Sequence, residues 1–210
     1  LGMAMGQDPV LVREITAAVK NAVSIPVIPK LSPNVPNLGE IALAAAQGGA
    51  DAICAINTVG PGYHSSHAHP VLSNTYGGIS GKGILPIGLK CVKEIAEVVD
   101  LPIIGCGGIS SADDVRAYRD SGASIFGVGS ALTGLTSEQM KGYFAALGSD
   151  LSGDQNDAQS YIRYDVDMSF TPYNLVENDP VSDDISMLTF DMDIDIRAGE
   201  FVFLWIPGLG

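Results

Sequence analysis

Residues able to hold a small polar ligand recur at one kind of place in this chain, directly after short apolar runs. Lys30 ends the run at 25–30, Asn57 and Thr58 follow 52–56, Gly107 and Gly108 follow 101–106, and Gly129 and Ser130 follow 124–128. A lysine there is either a solvated cap or a fixed positive charge beside an electron-rich ring. An amide next to a hydroxyl suits a planar polar ring, although Asn-Thr is also ordinary turn chemistry. Glycines leave backbone N–H groups free to approach phosphate oxygens. One glycine pair would read as a tight turn; two, after consecutive runs and each before a helix start, favour phosphate. Gly77-Gly-Ile-Ser-Gly81 is a further backbone-rich segment able to cover a ligand.

Other reactive residue types carry less. His64, His67 and His69 cluster, but no cysteine or carboxylate flanks them closely, so a solvated loop is expected and no metal. Cys54, Cys91 and Cys106 are scattered without a CxxC pair, which argues against disulfides, zinc and iron–sulfur ligation here. Cys106, between glycines on an apolar run, reads as packing rather than as a nucleophile.

The elements that must position these residues follow from periodicity. Asp8-Pro9 opens a helix with Val10, Ile15, Val19 and Val23 at near-helical spacing. Helices are expected at 38–47, 86–99, 111–121 and 136–147, and buried strands at 25–30, 52–56, 101–106 and 124–128. Residues 57–85 show no periodicity and read as a long loop. Alternating strands and helices with continuously apolar strands indicate an α/β fold with a parallel sheet. Four strands cannot close an eight-stranded barrel. The count therefore fits the second half of a (β/α)8 TIM barrel, with an open doubly wound sheet as the rival.

Charge divides the chain. Residues 1–148 carry a net −2 and residues 149–210 a net −11, out of −13 overall. The change marks a boundary: a barrel half at 1–148, an acidic linker at 149–168, and a β-rich domain from 169 to 210 with strands near 172–178, 185–191 and 200–206. So acidic a chain should repel nucleic acid. No run approaches the ~20 apolar residues of a membrane span, and a reducing cytoplasm is the expected location. The chain begins at Leu1 and stops just after a strand-like run, so both ends are expected to be cut.

Taken together, several motifs resemble the catalytic subunits of class 1 dihydroorotate dehydrogenases, of the 1B type. They are Lys30-Leu-Ser-Pro-Asn34, Ile56-Asn-Thr58, Pro70-Val-Leu-Ser-Asn74 with Gly77-Gly-Ile-Ser-Gly81, Ile103-Ile-Gly-Cys-Gly-Gly-Ile109 and Gly127-Val-Gly-Ser130. Order and spacing match over about residues 1–148. The resemblance implies an FMN flavoprotein, an oxidoreductase acting on a CH–CH bond, that converts dihydroorotate to orotate in pyrimidine biosynthesis. It implies that Lys30 and Ile56 contact FMN, that Asn57 and Thr58 bond the dihydroorotate or orotate ring, and that Gly81, Gly107, Gly108, Gly129 and Ser130 bind the ribityl phosphate. The family's base, a cysteine in a Ser-Cys-Pro-Asn loop, would fall upstream of Leu1. No catalytic residue is therefore assigned among residues 1–210, and this stretch alone is expected to be inactive.

The tail, Ala198-Gly-Glu-Phe-Val-Phe-Leu-Trp-Ile-Pro-Gly208, resembles the opening of the ferredoxin-reductase-like electron-transfer subunit of the 1B enzymes. That likeness implies an all-β barrel carrying FAD and a [2Fe-2S] cluster, fused in cis, and a homo-oligomer is expected. The alternatives are another FMN-dependent TIM-barrel reductase, of dihydropyrimidine or dihydrouridine type, and a non-catalytic phosphate-binding half barrel.

Overall fold

The structure is a computed structural model, and it describes residues 5–66, 69–152, 172–182 and 185–192. In chain order the helices are α1 (Pro9–Ala22), α2 (Leu38–Gln47), α3 (Leu85–Ala96), α4 (Ala112–Asp120) and α5 (Ser137–Ser152). The strands are β1 (Lys30–Leu31), β2 (Ile53–Ala55), β3 (Val59–Tyr63), β4 (Ser65–Ser66), β5 (His69–Pro70), β6 (Tyr76–Ile79), β7 (Ile103–Cys106), β8 (Ile125–Gly127), β9 (Leu175–Ser182) and β10 (Ile185–Phe190).

Local chemistry sets the helix starts. Asp8 accepts a 2.8 Å bond from the Val10 N–H and Pro9 takes the first turn of α1. Asn37 caps α2 through the Glu40 N–H at 3.2 Å. Ser111 and Asp114 form a reciprocal capping box on α4.

Strands β1, β2, β7 and β8 form one parallel sheet in that order. The order follows the chain without reversal. Right-handed crossovers then place α2, α3 and α4 on the same face, whereas a doubly wound sheet needs a reversal of strand order. The barrel-type reading therefore stands and the doubly wound rival does not.

The helix-covered face is the core. Leu31, Ile53, Ala55 and Ile103 are buried there with Ile41, Val92 and Ile95 of the helices. Val92 and Ile95 are wholly buried, each contributing about 1.5–3 kcal/mol. On the opposite face the register aligns Lys30, Cys54, Ile104 and Ile125 in one row. Ile125 is 50% exposed, and Val10, Ile15 and Val19 of α1 are exposed too.

Four boundaries differ from expectation. Helix α5 runs on to Ser152 instead of ending at 147, and so takes in the first four residues of the expected linker. Of the run at 25–30 only Lys30 is ladder-paired, together with Leu31 just beyond it. Pro26 and Pro29 lack the N–H a ladder requires. Helix α3 stops at Ala96, three residues early. The segment 57–85, expected to be a structureless loop, contains the β3–β6 antiparallel pair, in which Tyr63 faces Tyr76 with ring centroids 6.0 Å apart. Beyond the sheet, β9 and β10 pair antiparallel where two of the three β segments were expected. The third, at 200–206, and linker residues 153–168 lie outside the described residues.

Candidate functional site

The ends of β1 and β2 open onto a cavity of about 490 Å³. Lys30, Ser32, Asn34, Asn57 and Thr58 supply its polar lining, and Val12 and Ile15 of α1 part of its apolar lining. Asn57 and Thr58 are exposed side by side, and Asn57 Oδ1 accepts the Thr58 N–H at 2.8 Å. Asn34 shapes this segment from β1's side. Its Nδ2 donates to the Thr58 carbonyl at 3.2 Å and its Oδ1 accepts the Gly60 N–H at 3.0 Å. Thr58 also needs Gly78: a Cβ on Gly78 would lie 2.0 Å from Thr58 Oγ1. The expected ring-binding pair therefore shares a cavity with Lys30.

Ile56 differs from that pair. Its side chain is buried at 3% exposure within the core, and its N–H donates to the Cys106 carbonyl at 2.8 Å. An added Cβ on Gly107 would meet Ile56 Cγ1 at 3.1 Å, so the two positions are adjacent.

Glycines of two loops meet beside a serine of a third. Gly81, Gly107 and Gly108 all have positive φ, at 92°, 121° and 77°, where side chains other than glycine are strained. A Cβ on Gly108 would touch the Gly81 carbonyl oxygen at 2.9 Å, and one on Gly81 would lie 3.9 Å from Ser130 Oγ. Gly81, Gly108 and Ser130 are thus neighbours in space while belonging to the β6–α3, β7–α4 and β8–α5 connections. Gly129 has open space where its side chain would be.

The β7–α4 turn is held from below by Tyr118, which is fully buried. Its hydroxyl donates to the carbonyls of Gly107 at 2.8 Å and Cys106 at 3.1 Å. Gly88 and Gly105 exist to admit it, because a Cβ on either would fall 1.8 Å from its hydroxyl or 2.5 Å from its ring. Gly105 is therefore a packing glycine rather than a ligand glycine.

The start of α4 is not open to an anion. Asp114 Oδ2 accepts from Ser110 N at 2.9 Å, Ser110 Oγ at 3.1 Å and Ser111 N at 3.1 Å. Its Oδ1 is paired with Lys82 on the turn after Gly81. Burial alone would push this carboxyl up, but the lysine and the serine donors outweigh burial and hold it below the usual range. The helix start expected to share phosphate binding is thus filled by the chain's own carboxylate.

Cys54 and Cys106 lie on adjacent strands with sulfurs 3.7 Å apart. Sharing a proton with Cys54, helped by the charge of Lys30, lowers Cys106 to about 7 and raises Cys54. Burial raises Cys91. Among the described residues no three His, Cys, Asp or Glu side chains gather to hold a metal. His67, one of the three clustered histidines, lies outside those residues. Among the described residues no helix is long and apolar enough to cross a membrane.

Sequence reasoning passed over Asn34, Lys82, Asp114 and Tyr118. Of these, Asp114 had a readable signal, the Ser111-Ala-Asp-Asp114 capping pattern. Tyr118 had none, since nothing local links a helix residue to glycines thirteen and thirty positions earlier.

Comparison with known proteins agrees with this arrangement. A computed likeness exists to the crystal structure of DHODH in complex with ferulenol from Eimeria tenella, with a TM-score of 0.50 at 20% identity, covering 60% of this chain and 40% of that one. It supports the fold. The catalytic subunit of dihydroorotate dehydrogenase B (NAD(+)) from Methanocella arvoryzae is 46% identical over 132 residues, 62% of this chain and 44% of that protein. The subunit of the same name from Methanosarcina mazei is 45% identical over 150 residues, 70% of this chain and 48% of its own. The chain therefore spans less than half the length of these curated relatives. The family model for dihydroorotate dehydrogenase matches residues 2–141, two thirds of the chain. The chain belongs to the dihydroorotate dehydrogenase family.

Proposed function

We propose that this chain is the C-terminal half of the FMN-binding barrel of a class 1B dihydroorotate dehydrogenase, oxidising dihydroorotate to orotate in pyrimidine biosynthesis. One observation carries the reading: glycines of two loops, Gly81 and Gly108, meet beside Ser130 of a third, while Lys30, Asn57 and Thr58 share one cavity at neighbouring strand ends. In a βα barrel these strand ends are where ligands bind.

The residues fit FMN. Gly81, Gly107 and Gly108 hold positive-φ conformations that suit glycine, and the space at Gly129 is open. They and Ser130 would hold the phosphate. Lys30 would place its charge against the ring system, where Ile56, being buried, would offer backbone rather than side chain. FMN supplies the hydride acceptor when bound. Asn57 and Thr58 would orient the substrate by bonding its ring carbonyl and N–H groups, with Asn34 holding the backbone at Thr58 and Gly60. Removing the Asn57 amide leaves those groups unpaired at about 1–3 kcal/mol each.

The second part of the reading concerns residues 149–210. We assign the acidic stretch beyond α5, 153–168, to a linker and 169–210 to the start of an all-β electron-transfer module in cis, carrying FAD and a [2Fe-2S] cluster and serving NAD. The β9–β10 hairpin and the charge of this region support it. A cytoplasmic homo-oligomer completes the proposal.

The test uses the intact gene product loaded with FMN. Conversion of dihydroorotate to orotate, followed by orotate absorbance, is expected. In Asn57→Ala the KM for dihydroorotate should rise by about tenfold or more while FMN is retained. FMN-loaded protein that turns over a dihydropyrimidine but not dihydroorotate overturns the substrate assignment. FMN loss with an unchanged KM in Asn57→Ala overturns the role of that residue.

A further inference from the structure

Gly81, Gly107, Gly108, Gly129 and Ser130 offer a phosphate only neutral donors. A phosphate monoester is a dianion, and burying charge without a counter-charge is costly. Lys82 follows Gly81 directly and opens the turn Lys82–Ile84, for which Gly81 is the preceding residue. Its ammonium pairs with Asp114 Oδ1, and the other oxygen of that carboxylate bonds Ser110 and Ser111, immediately after the glycine turn. The lysine therefore ties the Gly81 loop to the Gly108 turn at the point where Gly81 and Gly108 touch. Asp114 is 5% exposed and anchored by four donors, while the Lys82 side chain is 55% exposed. An ammonium has three donors, and the carboxylate occupies one of them.

We propose that Lys82 is the cation of the phosphate subsite, fixed in place by Asp114 and directed at the phosphate monoester held by the glycine loops. This rests on the FMN reading above and adds to it a residue and a charge. Asp114 acts as a positioning residue: it does not contact the phosphate, it takes the Ser110 and Ser111 N–H groups ahead of α4, and it stops the flexible lysine from dispersing into solvent. The pairing offsets the charge of Asp114 and leaves the lysine two further N–H donors for an incoming anion.

The distinguishing measurement is the affinity for FMN set against riboflavin, which lacks the phosphate. In Lys82→Ala, FMN should bind about tenfold more weakly, as expected for loss of one charge-assisted bond, and riboflavin should bind as in the parent. Lys82→Arg should restore FMN binding, and Lys82→Glu should weaken it further. Equal losses for both flavins, or no loss for either, overturn the proposal while leaving the FMN reading intact if the parent protein binds FMN. A second arm needs no flavin: amide hydrogen exchange of residues 107–111 with and without inorganic phosphate. Phosphate should slow exchange in the parent and much less in Lys82→Ala. Absence of any phosphate effect in the parent, or an undiminished effect in the variant, overturns the role of Lys82 whatever the flavin results.

Discussion

The turns after β7 and β8 both carry glycine, yet their surroundings differ in kind. At Gly108 the direction a side chain would take is filled by protein, with the Gly81 carbonyl oxygen and the Leu85 nitrogen and Cβ each 2.9 Å away. Its φ of 77° adds a conformational demand. At Gly129 the same direction is open, and φ is −127°. The first glycine is therefore required by the fold itself, and the second is free for a ligand to require. A glycine after a barrel strand does not reveal by its identity which of the two it is.

The comparison breaks most visibly at Gly108→Val. Backbone atoms cannot move aside as a flexible side chain can, so a loss of about 3 kcal/mol is expected from overpacking and strain together. At about 2–4 °C per kcal/mol for a chain of this size, the flavin-free melting temperature should fall by roughly 6–12 °C. A melt unchanged from the parent would show that the turn relaxes and that Gly108 resembles Gly129 after all.

Tyr118→Phe should come next. It strips the hydroxyl donor from the Gly107 and Cys106 carbonyls at a cost of about 1–2 kcal/mol, and it should speed amide exchange around residues 107–109 without disturbing the β8 turn. Exchange that accelerates equally at residues 129–130 would show that the two turns are not independent.

The acid limb provides a smaller effect confined to the first turn. The folded-state carboxyl of Asp114 is held below its unfolded value, so its contribution is present above the unfolded pKa, near 3.9, and is lost as pH falls through the lower folded value. Stability measured from pH 5 downward should fall less steeply in Asp114→Asn than in the parent below about pH 4. Identical slopes would remove Asp114 from the acid response.

Gly129→Val should scarcely move the flavin-free melt, by less than about 0.5 kcal/mol as for an open surface site, and yet should weaken FMN retention. A destabilised apo protein would mean the open space is needed for folding, and full FMN retention would mean the phosphate lies elsewhere.

What could be read in advance depended on whether the determinant was local. Continuous apolar strands and helix caps are written in neighbouring residues, so the parallel α/β order was legible, as was the family. The glycines were legible as backbone-rich turns but not sortable, because Gly105 and Gly88 answer to a tyrosine on α4 that packs between their strand and helix. The β3–β6 pair escaped notice since Gly60, Pro61, Gly62, Gly77 and Gly78 erase the alternation by which strands are recognised. Ile56 lies one residue past the end of β2 rather than ending it, and its side chain is buried in the core cluster. The occupied start of α4 was hidden because a capping carboxylate and an anion site advertise themselves with the same residues.

Strands β1 and β8 are the outer members of the four-stranded sheet. An outer strand carries backbone donors and acceptors that a further strand can meet, and this makes it a template for adding one. On the proposed half-barrel reading, these two margins are the seams at which the other four strands would complete the ring. Lys30 then stands at one seam and Ile125, half exposed, at the other, and both would be enclosed once the ring closes.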